Sequence, residues 1–150
     1  MAKVGGAAAL VTALCKHFEG LYLRPYLCSA GVPTIGYGAT FYEDGTRVTL
    51  KDAPITKERA EQLLAFHLGR RFLPAALKLC PGANTPGRLA GLVDFAFNLG
   101  EGNLRASTLR RRVNEGDWED VPVQHMRWNR AGGQILRGLT RRCQARADLV

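Results

Sequence analysis

Between Glu19 and Gly38 the chain reads EGLYLRPYLCSAGVPTIGYG, and this stretch constrains the fold more than any other. The residues that lead into it, AALVTALCKHFEGL, have the character of a helix. Those near its end form a turn that feeds a short strand pair punctuated by Gly36 and Gly38. Eight residues separate Glu19 from Cys28, and five separate Cys28 from Thr34. A carboxylate at the end of a helix is thereby set against a thiol and a hydroxyl carried by a hairpin. A carboxylic acid opposite polar groups that can hold water is the layout needed to cleave a glycosidic bond.

The rest of the chain sorts into a few strands and then helices. Arg24-Pro25 marks a break, because proline disfavours helix in the residue before it. Residues 34–37, 40–42 and 47–50 are short β-rich pieces, with turn signals at Ala30-Gly31 and Asp44-Gly45. Thr56, with Glu58 in the first turn, opens a helix that carries Ala60, Leu63, Leu64, Phe66 and Leu68. Pro74 is expected to kink or end it, and Cys80-Pro81-Gly82 to close the segment. Thr85-Pro86 starts a strongly apolar helix that runs to Leu99 and stops at Gly100. Further helices are predicted near 105–115, 118–126 and 133–148. Segregated strands and helices indicate an α+β fold of one domain. A small antiparallel β lobe at about 20–55 stands beside a helical lobe made of 1–19 and 56–150, with a cleft between them.

The formal charge of +8 is concentrated late, and every basic residue beyond position 100 is arginine. Such a surface suits a polyanion: nucleic acid, an anionic membrane or an acidic wall polymer. The plainer alternative is a solvated charged face. An apolar fraction of 46% excludes a disordered chain. Cys15, Cys28, Cys80 and Cys143, with His17, His67 and His125, show no zinc-ligand spacing, so no metal is expected. The segment GYGATFYEDG lacks the Lys-Ser/Thr ending of a phosphate loop, and no nucleotide or other cofactor is expected. Residues 4–14 are uncharged but fall short of the ~20 apolar residues of a membrane span. They run directly into the helix of Glu19 and read as its first turns, not as a secretion signal.

The stretch FEGLYLRPYLCSAGVPTIGYG closely resembles the active-site signature of phage-type lysozymes, the endolysins of glycoside hydrolase family 24. That signature is a Glu, eight residues, an Asp or Cys, five residues and a Thr, with TIGYG or a close variant. DFAFNLG (94–100), followed by Ser107-Thr108-Leu109, resembles the family's second cleft-lining segment. WNRAGGQILRGLTRR (128–142) resembles its C-terminal signature, so the likeness spans residues from about 10 to 147. The resemblance implies a two-lobed lysozyme fold that cleaves the β-1,4 bond between N-acetylmuramic acid and N-acetylglucosamine in peptidoglycan. It makes Glu19 the general acid, puts Cys28 where Asp usually stands, and gives Thr34 a part in positioning water. It also matches Arg141 to an arginine that holds the catalytic Glu.

Three roles are open for Cys28: orienting water, acting as a thiolate base, or attacking the anomeric carbon. The first two are favoured over the third, and over a merely packed cysteine. A free thiol with a pKa of about 8.5 is a weaker electrostatic stabiliser than Asp unless its neighbours lower that value. Among sugar-binding candidates, Gly38 would bring the hairpin backbone close to a ring. Tyr37 stacks on that ring or packs in the small lobe. Asn98 hydrogen-bonds an N-acetyl group or caps its helix, and Gln124 is a further cleft candidate. Trp118 and Trp128 are expected as core anchors. Cys15 lies one helical turn before Glu19 on the same face. Relatives in the resembled family with a catalytic Cys make a Cys15–Cys28 disulfide lock a hypothesis.

Two rival readings stand beside hydrolysis. A lytic transglycosylase would break the same bond using the muramoyl 6-hydroxyl instead of water. A non-catalytic basic protein would bind wall polymer or nucleic acid with a steep salt dependence. The late arginines fall on amphipathic helices without aromatic interleaving, so a nucleic-acid partner is not expected. Peptidoglycan is the expected partner, with anionic wall polymers or outer-membrane lipid drawn to the arginine face, and a monomer is the default state. Synthesis in the host cytoplasm, with access to the wall in the periplasm through a membrane lesion, completes the expectation.

Overall fold

The computed structural model describes residues 2–150. Helix α1 (Ala2–Glu19) buries Ala7, Val11 and Cys15, a stripe at four-residue spacing, mainly against α4 (Pro86–Leu99). Gly20, at φ +72°, turns the chain out of α1, with its N–H still donating to the Lys16 carbonyl at 3.2 Å. Strands β1 (Tyr22–Leu27) and β2 (Pro33–Gly36) then pair antiparallel, Tyr22 opposite Gly36 and Tyr26 opposite Thr34. Strand β1 was not expected, because Pro25 lies inside it. The ladder is irregular between Tyr22 and Tyr26, and β1 has a partner on one side only, so a missing donor is tolerated there. The expected strands at 40–42 and 47–50 reduce to a single bridge, Phe41 with Arg47, around Asp44-Gly45. Ile35, Ala39, Val48 and Leu63 form the small core of this lobe.

Helix α2 (Lys57–His67) starts as expected, with the Thr56 hydroxyl accepting from the Arg59 N–H at 3.1 Å. It runs through a π turn (Leu68–Phe72) into α3 (Leu73–Leu79), so Pro74 neither ends nor isolates the segment. Proline sits in the first turn of α3, where its lack of a donor is least costly. The π turn has its own cause in the sequence. Residues on the core side recur every four positions, at Ala60, Leu64, Leu68, Phe72 and Ala76. Against ~3.6 residues per turn this drifts by about 1.6 residues, and one wider turn absorbs most of the excess.

Thr85 caps α4 through Arg88 N–H, and Gly100 ends it at φ +98°. The predicted helix near 105–115 is two helices, α5 (Glu101–Ala106) and α6 (Thr108–Glu115), with Ser107 capping the second. Helix α7 (Val121–Met126) follows. Gly132 and Gly133, both at positive φ, form a hairpin turn between β3 (Arg130–Ala131) and β4 (Gln134–Ile135), so the last helix, α8 (Arg137–Asp148), begins later than predicted. The fold is α+β. The large core gathers on α4, where Leu89, Leu92, Val93 and Phe95 are fully buried, and α2 lends residues to both cores. Among the described residues no helix is long and apolar enough to cross a membrane.

Candidate active site

Glu19 is the last residue of α1, and its side chain is 22% exposed at the junction of the lobes. Two contacts fix its carboxylate. Arg142 on α8 donates from Nη1 to Oε2 at 2.5 Å. Gly38, in the turn after β2, backs onto the other oxygen, and a Cβ there would lie 2.5 Å from Oε1. Gly38 therefore makes room for the acid, where the sequence suggested an approach to sugar.

The arginine that holds Glu19 is Arg142, a correction to the expected Arg141. The reason is the phase of α8, which buries Arg142, Cys143, Arg146 and Ala147 and leaves Arg141 exposed. Arg142 also donates from Nε and Nη2 to Asp94, the latter at 2.7 Å to Oδ1. Asp94 is fully buried on α4 and accepts in addition from Arg146 Nη1 at 2.8 Å and from the Cys15 thiol at 3.6 Å. Burial alone would raise the Asp94 carboxyl, but the bonds and charge of Arg142 and Arg146 hold it below the ordinary range. The same burial pushes the Cys15 thiol up, and the adjacent Asp94 adds to it. Neither this network nor the carboxylate at its centre was anticipated. The available signal was an acid inside LAGLVDFAFNL, since a charge on a buried face needs partners.

Cys28 stands at the tip of the β1–β2 hairpin, half-buried. Its N–H donates to the Val32 carbonyl, and its carbonyl accepts from the Gly31 N–H. The backbone N–H groups of Val32 and, less strongly, Ala30 approach the sulfur, and they hold the thiol below its ordinary range. The Thr34 hydroxyl donates to the Val32 carbonyl at 2.8 Å, which leaves its oxygen free to accept. All four cysteines are free, and Cys15 is engaged with Asp94.

The remaining candidates separate. Tyr37 is buried in the large core beneath Lys16, so its ring packs and offers no face to a sugar. Asn98 accepts from Arg146 at its side-chain carbonyl, which turns its NH2 group the other way, and the cap of α4 is Gly100 instead. Gln124 is buried and donates to Asp120 at 3.0 Å, in a cluster with Arg112. It is not brought to Glu19. Trp118 and Trp128 pack against the large core, as expected.

Two tyrosines that sequence reasoning passed over stand beside the acid. Tyr22 and Tyr26 stack with ring centroids 4.0 Å apart, and Tyr22 is 45% exposed. Tyr22 approaches Gly20, and the Tyr26 hydroxyl is raised by burial first and then by the charges of Tyr22, Glu19 and Cys28. Gly38 also lines a cavity of about 160 Å³, together with Thr40, Phe41, Arg71, Phe72 and Phe97. Among the described residues no group of three or more His, Cys, Asp or Glu could hold a metal ion.

The profile of the phage lysozyme family matches residues 16–146. An endolysin of Bacillus phage B103 is 33% identical over 129 residues, covering 86% of this chain and 48% of the relative. The chain spans about half the length of the Bacillus phage endolysins it matches. Among solved structures, an endolysin from Escherichia coli O157:H7 phage FAHEc1 superposes with a TM-score of 0.83 at 32% identity, over 93% of this chain and 89% of that one. The muramidase domain of SpmX from Asticaccaulis excentricus gives 0.76 at 33% identity, over 93% and 92%.

Proposed function

The chain belongs to the phage lysozyme family, and from that premise we propose that it is a muramidase. Its reaction is hydrolysis of the β-1,4 bond between N-acetylmuramic acid and N-acetylglucosamine in bacterial peptidoglycan. The observation that carries this reading is Glu19, held by Arg142 and Gly38 where α1, the β hairpin and α8 meet. In the proposed step Glu19 gives its proton to the bridging oxygen as the bond from C1 breaks, and the alcohol leaves neutral.

Cys28 and Thr34 supply the water. The hydroxyl of Thr34 is committed as a donor to Val32, so toward water it accepts. The Cys28 thiol, lowered by the backbone N–H groups around it, offers a second acceptor as thiolate. A water that donates one hydrogen to each turns a lone pair toward the anomeric carbon. After attack, the released proton restores Glu19 directly or by way of the thiolate. The exposed face of Tyr22 and the amide of Asn98 would meet sugar rings and N-acetyl groups. Action at the cell wall after synthesis in the cytoplasm and a membrane lesion accompanies the proposal, with the basic surface drawing the enzyme to anionic wall polymer or outer-membrane lipid.

The deciding experiment is mass spectrometry of soluble products from purified peptidoglycan, with Glu19→Gln as control. Reducing muramic acid ends, absent from the control, are expected. Anhydro ends would make the protein a transglycosylase. No release by either protein would leave only binding.

A further inference from the structure

An arginine bonded to a carboxylate favours its charged form, yet a general acid must carry a proton before it can give one away. The structure contains a device that reconciles the two. Arg142 is 5% exposed and spends most of its donors elsewhere: Nε and Nη2 go to Asp94, and Nη1 alone reaches Glu19. Asp94 in turn bonds Arg146, which is fully buried and also donates to Asn98. Four charges of alternating sign run in a line from the core to the cleft: Arg146, Asp94, Arg142, Glu19.

We propose that Asp94 and Arg146 are positioning residues that set how strongly Arg142 stabilises the charged form of Glu19. This rests on Glu19 being the acid. Asp94 draws the positive charge of Arg142 inward and orients its planar fork, so that one nitrogen meets Glu19. Arg146 balances Asp94, and without it the whole negative charge of Asp94 would bear on Arg142 and on the acid beyond. The two residues therefore act in opposite directions, although they belong to one buried ion pair. A merely structural pair would not do so.

Other titratable groups face this line from each packed element. Cys15 on α1 bonds Asp94, and its thiol is raised by burial. Tyr26 on β1 feels the charge of Glu19 from the small lobe, with Cys28 at the hairpin tip acting on the same hydroxyl. His125 on α7 and Cys143 on α8 lie beside Arg146 and Asp94, His125 held neutral by its burial and Cys143 raised by its own. Of these, Cys28 is the thiol lowered by its surroundings. Because a charge removed at position 94 or 146 can reach Cys28 as well, the same variants are also compared in a Cys28→Ser background, where no thiol titrates at that position.

The test is the pH profile of kcat/KM on purified peptidoglycan, read at the alkaline limb where the acid loses its proton. Asp94→Asn should move that limb to lower pH by about one unit, and Arg146→Gln should move it to higher pH. Arg146→Lys, which keeps the charge, should leave it near the wild-type position. Rates are divided by the fraction folded at each pH, read by circular dichroism, so that partial destabilisation does not obscure the limb's position. If Asp94→Asn gives no folded protein, the double variant Asp94→Asn with Arg146→Gln removes one buried charge of each sign. It too should move the limb downward, since Asp94 is the nearer of the two to Glu19. Limbs that stay in place, or single variants that shift the same way, overturn the proposal. Activity retained by Glu19→Gln would instead overturn the assignment of the acid itself.

Discussion

The α-carbon of Gly38 backs directly onto the carboxylate of Glu19: a Cβ added there would stand 2.5 Å from Oε1 and 2.9 Å from Cδ. Gly38 also adopts φ +81°, a conformation that costs an L side chain about 1–2 kcal/mol. Gly38→Ala should therefore move the acid before it unfolds the protein. We expect a loss of about 100-fold or more in kcat/KM, with the melting temperature lowered by only a few degrees. Peptidoglycan turbidity assays beside thermal denaturation check this, and an active Gly38→Ala enzyme would mean that the carboxylate tolerates displacement.

Cys28→Ala should lower kcat by roughly 10²–10⁴-fold, because it removes the acceptor that holds water. Cys28→Asp should retain most activity. The pH dependence separates the two acceptors. A thiolate forms only as pH rises through the lowered thiol range, whereas a carboxylate at the same position is already charged at pH ~5. The acidic limb should accordingly move to lower pH in Cys28→Asp. Equal profiles in the two proteins would exclude the thiolate.

Among the four cysteines, the three other than Cys28 are buried and have thiols raised by that burial. Brief iodoacetamide treatment near neutral pH should therefore label Cys28 first, with activity falling in step with labelling. Mass spectrometric mapping of the labelled site checks it, and inactivation that tracks another cysteine would sever the thiol from the chemistry.

His125 is buried with Nδ1 unpartnered, and its pKa is pushed down to about 3, by burial first and the charge of Arg146 second. The unfolded chain binds a proton here near pH 6.5, while the folded protein does not until about pH 3. Stability should thus fall as pH drops below 6.5, by at most ~1.4 kcal/mol per pH unit. The lowered carboxylates, Asp94 among them, contribute to acid lability only near and below pH 4, so the interval from 6.5 to 4.5 belongs to His125. His125→Gln should flatten the urea midpoint over that interval. A slope that persists in the variant would place the sensitivity elsewhere.

Tyr22→Ala removes the outer ring of the stacked pair beside the acid. Loss of one aromatic contact is worth about 0.5–1.5 kcal/mol, a factor of about 2–10 in KM, with kcat little changed. Initial rates on soluble glycan fragments of increasing length would show it. A fall in kcat alone would make Tyr22 part of the catalytic geometry instead of the binding surface.

How much of this was legible depended on whether neighbours in sequence were neighbours in effect. The Thr56 and Thr85 caps and the stop at Gly100 act locally, and each stands as read. The Glu19–Cys28–Thr34 spacing is equally local, one helix end and one hairpin, which is why it could carry an expectation of chemistry. Strand β1 was hidden because Pro25 is a breaker by rule, and only the one-sided pairing excuses it. Arg141 and Arg142 are indistinguishable until the start of α8 is known. The hairpin at Gly132-Gly133 shifts that start, and the helical phase then selects Arg142 for the interior. Tyr37 stood between stacking on a sugar and packing in the small lobe, and it packs, in the large core and beneath Lys16, contacts that no local pattern announces. Asp94 was the clearest missed signal: it is an acid within an apolar helix, and both its charged partners lie about 50 residues away, at 142 and 146.

The π turn at Leu68–Phe72 has a consequence for how this chain can change in length. Each residue added to an α-helix rotates the remainder of that helix by about 100°. The wider turn is therefore a phase shifter between the face that α2 shares with the small lobe and the face that α3 gives to the large one. Deleting one residue there would let the helix run regular, yet it would swing Ala76 and Leu79 out of the core they fill. Insertions and deletions should be excluded from this connection far more strictly than amino-acid exchanges. The orientation of the two halves of the cleft is thus held in a residue count, and substitutions that preserve the count leave the gearing intact.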